Sequence, residues 1–167
     1  MNDMRERRQS GAVIAGLVGL IVIVGYAAVG ILQILVWNPL AAVPGATLEQ
    51  IYAQLDLANE SLATSWVVTW GVIGVVLAGA VLLVSAVGRT RPVSFVVAAD
   101  LLLLVLAAPA HLFVAFGPGM SLADTFMISG GDHAPWGVAL YLVSALALTA
   151  LVIRVVLAKY DRRALVH

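Results

Sequence analysis

Four apolar segments dominate this chain, and each is long enough to cross a bilayer. A transmembrane helix needs about 20 predominantly apolar residues. The segments are Ala12 to Val36, Trp66 to Gly88, Val93 to Phe116 and Trp136 to Ala158. Composition says the same. The 167 residues are 62% hydrophobic and 11% charged, with a mean hydropathy of +1.05. Soluble domains are about 45–50% apolar and about 25% charged. The expected fold is all-α: an integral-membrane, antiparallel four-helix bundle in one domain, residues 12–158. A short N-terminus (1–11) and a C-terminal tail (159–167) flank it. The first span follows "MNDMRERRQ", but its 25-residue apolar run exceeds the h-region of a signal peptide, about 7–15 residues. It therefore reads as an uncleaved helix.

Charge sets the expected orientation. The loop from Trp37 to Ser65 carries Glu49, Asp56 and Glu60, and the loop from Gly117 to Pro135 carries Asp124 and Asp132. Neither holds Lys or Arg. All nine basic residues lie in the N-terminus (Arg5, Arg7, Arg8), the second-to-third-span hairpin (Arg89, Arg91) or the C-terminal end (Arg154, Lys159, Arg162, Arg163). Positive charge is retained in the cytoplasm, so both termini are expected inside. The expected location is a bacterial cytoplasmic membrane. Trp37, Trp66, Trp70 and Trp136 fall near the outer ends of spans, where indole rings favour the interface.

Lipid tails are as apolar as leucine, so close helix contact relies on small residues. Ala12, Gly16, Gly19, Ile23, Ala27 and Gly30 are spaced 4, 3, 4, 4 and 3 apart and form one face. Gly71, Gly74, Ala78 and Ser85 make a similar groove in the second span. The fourth offers Ala145 and Thr149, with Ser144 and Tyr141 nearby. Packing within the subunit is favoured over dimerisation. In the first outer loop, "TLEQIYAQLDLANESLATS" reads as an amphipathic helix with a Thr47/Gln50 capping box. Having no basic residue to hold anionic lipid, it is expected as a lid over the bundle. The second loop, "GPGMSLADTFMISGGDHAP", is expected to contain a helical turn capped by Ser121, then to fold back irregularly.

Ionisable groups within spans are functional candidates. Asp100 and His111 share one face of the third span, roughly 16 Å apart along its axis, and Pro109 between them suggests a kink. One expectation pairs Asp100 with Arg154. Another makes the Asp100/His111 face, with Gln33, Tyr26 and Tyr141, an outward-facing ligand, ion or transport site. A third brings His111, His133 and Asp132 together on a metal, zinc by imidazole and carboxylate or copper with Met120 and Met127. No HxH or HxxxH spacing fixes two ligands on one element. There is no cysteine, which excludes thiolate sites and Cys nucleophiles. With one histidine in the spans, bis-His haem ligation across the bundle is not available.

No GxSxG, HExxH, phosphate-binding or dinucleotide-binding pattern is present, and the midplane is Leu, Val and Ala. The favoured reading is therefore non-enzymatic, a small accessory or interaction subunit. Its partners would be the bilayer and another membrane protein or a second copy, with no nucleic acid. The alternative is the outward-facing binding or transport protein described above. The hairpin "VGRTRPVSF", followed by a span bearing Asp100 and His111, resembles the small four-span bacterial DoxX-like membrane proteins. The resemblance covers a short part of the chain and carries no functional residue across.

Overall fold

A computed structural model describes residues 2–87 and 92–164, with side chains over 9–87 and 92–160. The Arg89 and Arg91 hairpin, and the basic side chains of Arg5, Arg7, Arg8, Arg162 and Arg163, lie outside what it describes. The chain is helical throughout: α1 (Asn2–Leu32), a π-helical turn (Gln33–Trp37), α2 (Asn38–Ala42), α3 (Leu48–Leu57), α4 (Thr64–Val87), α5 (Val93–Phe126) and α6 (Trp136–Ala164). Four stretches are long and apolar enough to cross a membrane: Gln9–Ala42, Thr64–Val87, Val93–Phe126 and Trp136–Tyr160. They pack side by side, with α1 touching α4, α5 and α6, and α5 lying against both α4 and α6. The outward surface carries Ile14, Ile21, Val76, Phe113 and Leu146, each more than 60% exposed, while Gln33, Ser85, Asp100, His111 and Ser144 are buried. Apolar outside and polar inside is the reverse of a soluble bundle, and it suggests a multi-pass membrane protein.

The small-residue stripe of α1 is interior. All six positions from Ala12 to Gly30 are buried. Leu82 and Ser85 of α4 lie close to Gly16, Asp100 of α5 lies on Gly19, and Trp70 of α4 lies on Gly30. On α4 the buried face is Val67, Gly71, Ala78 and Ser85. The α6 expectation needs correction. Ala145 and Thr149 face outward, and the packing face is Gly137, Leu140, Ser144 and Ala147, spaced 3, 4 and 3. Thr149 instead donates to the Ala145 carbonyl on its own helix.

The end of the bundle expected to face outward is roofed by α3. Thr47 and Gln50 form the reciprocal capping box. Ile51 and Leu55 are fully enclosed against Ile34, Leu35, Leu62, Val67, Val114 and Leu122. The helix is shorter than the sequence suggests. It stops at Leu57 because Asn59 turns into the left-handed region (φ 57°), and the Glu60 amide closes back on the Leu55 carbonyl at 2.8 Å, a Schellman-type ending.

Helix α5 runs ten residues beyond the expected Phe116, through Pro118, to a left-handed Met127. No separate capped turn begins at Ser121. Burial explains the difference: Val114, Pro118, Gly119, Ser121 and Leu122 all pack inward, and Ser121 Oγ donates to Glu60 Oε2 at 2.7 Å. Tertiary contact here outweighs the helix-breaking tendency of a Gly-Pro-Gly sequence.

Candidate functional site

The site starts from a backbone irregularity. Pro39 has no N–H, so it cannot bond the Leu35 carbonyl in the usual i to i−4 register. The chain widens into a π turn in which the Asn38 amide bonds the Gln33 carbonyl. Tyr52 on α3 donates its hydroxyl to the freed Leu35 carbonyl at 3.2 Å. Turns of this kind often mark functional positions. Here the turn carries Gln33 and Asn38, both buried.

Both residues hold the second outer loop. Gln33 Nε2 donates to the Ala134 carbonyl at 3.2 Å. Asn38 Oδ1 accepts from the His133 amide at 2.6 Å and the Ala134 amide at 3.4 Å. The loop folds back onto the bundle, as its composition implies, with Gly130 against Gly119. The α6 helix starts directly below it. A methyl on Gly137 would lie 2.6 Å from Asp132 Oδ2 and 3.3 Å from Gln33 Nε2, so Asp132 and Gln33 meet across that glycine.

His111 lies beneath this roof and is completely enclosed. Its Nδ1 is 3.4 Å from the Tyr141 hydroxyl. The Asp132 carboxylate is within electrostatic reach of both His111 and Tyr141. Trp70 presents an edge to the imidazole with ring centres 5.6 Å apart, and Tyr26 sits 6.5 Å from Trp70. Below them the Tyr26 hydroxyl meets Ser144 Oγ at 3.2 Å, and Ser144 donates to the Leu104 carbonyl at 2.7 Å. Four of the expected site residues, Gln33, His111, Tyr26 and Tyr141, thus fall in one connected region, and Asp132 joins them. Two polar atoms there have no partner among the described residues: Gln33 Oε1 and His111 Nε2. The imidazole Cδ2, next to Nε2, is 3.2 Å from where a methyl on Gly30 would lie. That edge therefore faces α1, one turn from Gln33.

Two expected groupings are not formed. His133 is exposed and its Nε2 lies 2.9 Å from the Ser129 carbonyl, so it does not join His111 and Asp132. Among the described residues, no three His, Asp or Glu side chains converge as metal ligands. Nor does Arg154 reach Asp100. Its Nη2 donates to the Ser94 carbonyl at 2.9 Å, nearer its own end of α5. Asp100 packs on Gly19, and both carboxyl oxygens are buried with no partner among the described residues. It lies three turns from His111, outside the outer cluster.

Sequence reasoning placed Trp70 at the interface and Ser144 among packing residues, and overlooked Asn38. Trp70 carried a usable signal: Val67, Trp70, Gly71 and Gly74 share one helical face. Ser144 gave none beyond its spacing from Tyr141. No family model, curated protein or solved structure matches the chain, so the resemblance carried by the hairpin adds nothing to the assignment.

Proposed function

We propose that this chain is a multi-pass protein of a bacterial cytoplasmic membrane, with both ends inside, that binds a small molecule or ion in its outer half. The observation that carries the reading is the pair Gln33 and His111. Both are wholly enclosed, and each keeps one polar atom without a partner among the described residues. A buried polar atom without a partner costs about 1–3 kcal/mol, which a fold tolerates where a ligand supplies the missing hydrogen bond. The accessory-subunit reading has no comparable support, because the distinctive chemistry faces inward and the outer surface is lipid-like.

The same atoms narrow the ligand. Gln33 Oε1 accepts and cannot donate, so the ligand must donate. No Lys or Arg occurs in residues 9–88 or 92–153, while Glu49, Asp56, Glu60, Asp124 and Asp132 all lie in or near the outer loops. That field favours a neutral donor or a cation over an anion. The test is a thermal-stability screen of the purified protein against small amines, amides, alcohols and carboxylates of matched size. Donors should stabilise the wild type, carboxylates should not, and Gln33→Leu and His111→Ala should abolish the shift. If no donor shifts the wild type, or both variants respond as it does, the site reading fails. Tags at each terminus, probed from outside, test the topology.

A further inference from the structure

A cleft of about 160 Å³ opens between α1, α4 and α5, beside the polar site and sharing Tyr26 and Trp70 with it. Its floor is built from small residues on all three helices: Ala27, Gly71, Gly74 and Ala107. Its lips are Ile73, Leu77 and Leu106, each about half exposed on the outward surface of the spans. Gly74 lies near the middle of Thr64–Val87, so the opening is at mid-span, where, on the membrane reading proposed above, the neighbouring medium is hydrocarbon.

We infer that this cleft is a binding site for the acyl chain of a bilayer phospholipid. The lining favours an apolar occupant. Tyr26 and Trp70 bring its only polar side-chain groups, and the Tyr26 hydroxyl is already engaged with Ser144. A polar ligand would find only the Trp70 indole N–H in this otherwise hydrocarbon wall, whereas hydrocarbon regains the dispersion contacts that a hollow forfeits. An engineered cavity of about 150 Å³ takes up benzene, so the cleft fits a short stretch of one chain, with the remainder of the lipid in the bilayer. Access is lateral, past Leu77 and Leu106, and needs no opening of the roof. The chain would touch one side of Trp70, whose edge also meets His111, so the two sites share a wall.

The structure supplies a matched pair of variants. A Cβ on Gly74 would meet Ile23 at 3.9 Å, ordinary contact, and a longer side chain there would grow into the cleft. Gly79, on the same helix, has nothing within 4 Å of its Cβ position and does not line the cleft. The experiment uses the full chain with Trp37, Trp66 and Trp136 changed to Phe, leaving Trp70 as sole fluorophore. The protein is placed in phosphatidylcholine vesicles with and without brominated acyl chains. Bromine should quench Trp70. Gly74→Leu should lose most of that quenching, and Gly79→Leu should keep it. Ala107→Leu provides a second filling variant should Gly74→Leu not fold, as judged by helical circular dichroism. Equal quenching in the filled and control variants overturns the proposal, as does no quenching of the parent. Quenching that appears only when protein is diluted in lipid assigns the cleft to a second copy of the chain and also overturns it.

Discussion

Gly30 is where the bundle's closest packing and its polar site coincide, and Gly30→Ala probes both. The added methyl would lie 2.7 Å from Trp70 Cη2, 2.9 Å from Cζ3 and 3.2 Å from His111 Cδ2. Relief can come by two routes. If the helices hold their ring positions apart, overpacking costs about 1–3 kcal/mol. If Trp70 swings outward, it gives up its contacts with Tyr26 and His111, each about 0.5–1.5 kcal/mol. Alanine's helix advantage returns at most about 1 kcal/mol. Both routes therefore cost about 1–3 kcal/mol before that return and about 0–2 kcal/mol after it. Gly25→Ala, with nothing within 4 Å, should be neutral or slightly stabilising. Trp70→Phe removes the two indole atoms responsible, so Gly30→Ala in that background should lose most of its cost, a coupling of about 1–2 kcal/mol in a double-mutant cycle. Reversible unfolding in mixed detergent micelles, followed by circular dichroism, measures all four states. If Gly30→Ala proves as stable as Gly25→Ala, or costs the same with Phe at position 70, the packing described here is wrong.

Two further outcomes follow from contacts away from Gly30. Arg154 bonds the Ser94 carbonyl and not Asp100, so Asp100→Asn and Arg154→Gln should change stability additively, within about 0.5 kcal/mol; coupling well above that in the same unfolding assay would show that they pair. Asn38 Oδ1 accepts two loop amides, so Asn38→Ala should raise hydrogen exchange at His133 and Ala134 while leaving α3 protected, and unchanged exchange at those amides would refute the anchoring role.

The parts legible in the sequence are those in which one physical signal dominates. The number and placement of the four long helices follow from the apolar runs. The buried stripe of α1 follows from small residues at helical spacing, and all six of its positions are interior. The lid's start follows from Thr47 and Gln50, whose side chains act locally. Where a local preference competes with a distant contact, the sequence misleads. Gly117, Pro118 and Gly119 look like a helix end, yet packing of Val114 and Leu122 under the lid carries α5 past them. Asn59 looks helical in an amphipathic run but serves better as a left-handed terminator. Asp100 and Arg154 attract as opposite charges on facing helices, while the geometry delivers Arg154 to a backbone carbonyl nearer its own end of the span. The site was half visible. Its residues stood out as polar groups in an apolar chain, but Trp70 and Ser144 belong to it only because α4 and α6 turn those faces inward.

The π turn explains why the polar groups gather in the outer half. In a regular α-helix, residues five apart point about 140° away from each other. Gln33 and Asn38 are five apart, and an uninterrupted helix would let only one of them face the second outer loop. The i to i−5 bond between the Asn38 amide and the Gln33 carbonyl stacks the two residues on one side instead. Gln33 then holds Ala134 by its carbonyl, and Asn38 holds the His133 and Ala134 amides. The loop so fixed lowers Asp132 toward Tyr141 and His111. The irregularity is stable because the carbonyl that Pro39 leaves unbonded is taken by Tyr52 of the lid. Pro39, Tyr52, Gln33, Asn38 and Asp132 are therefore parts of one arrangement spread over three segments of sequence. The enclosed pair at Gln33 and His111 is a consequence of it, and not an accident of isolated polar residues in an oily bundle.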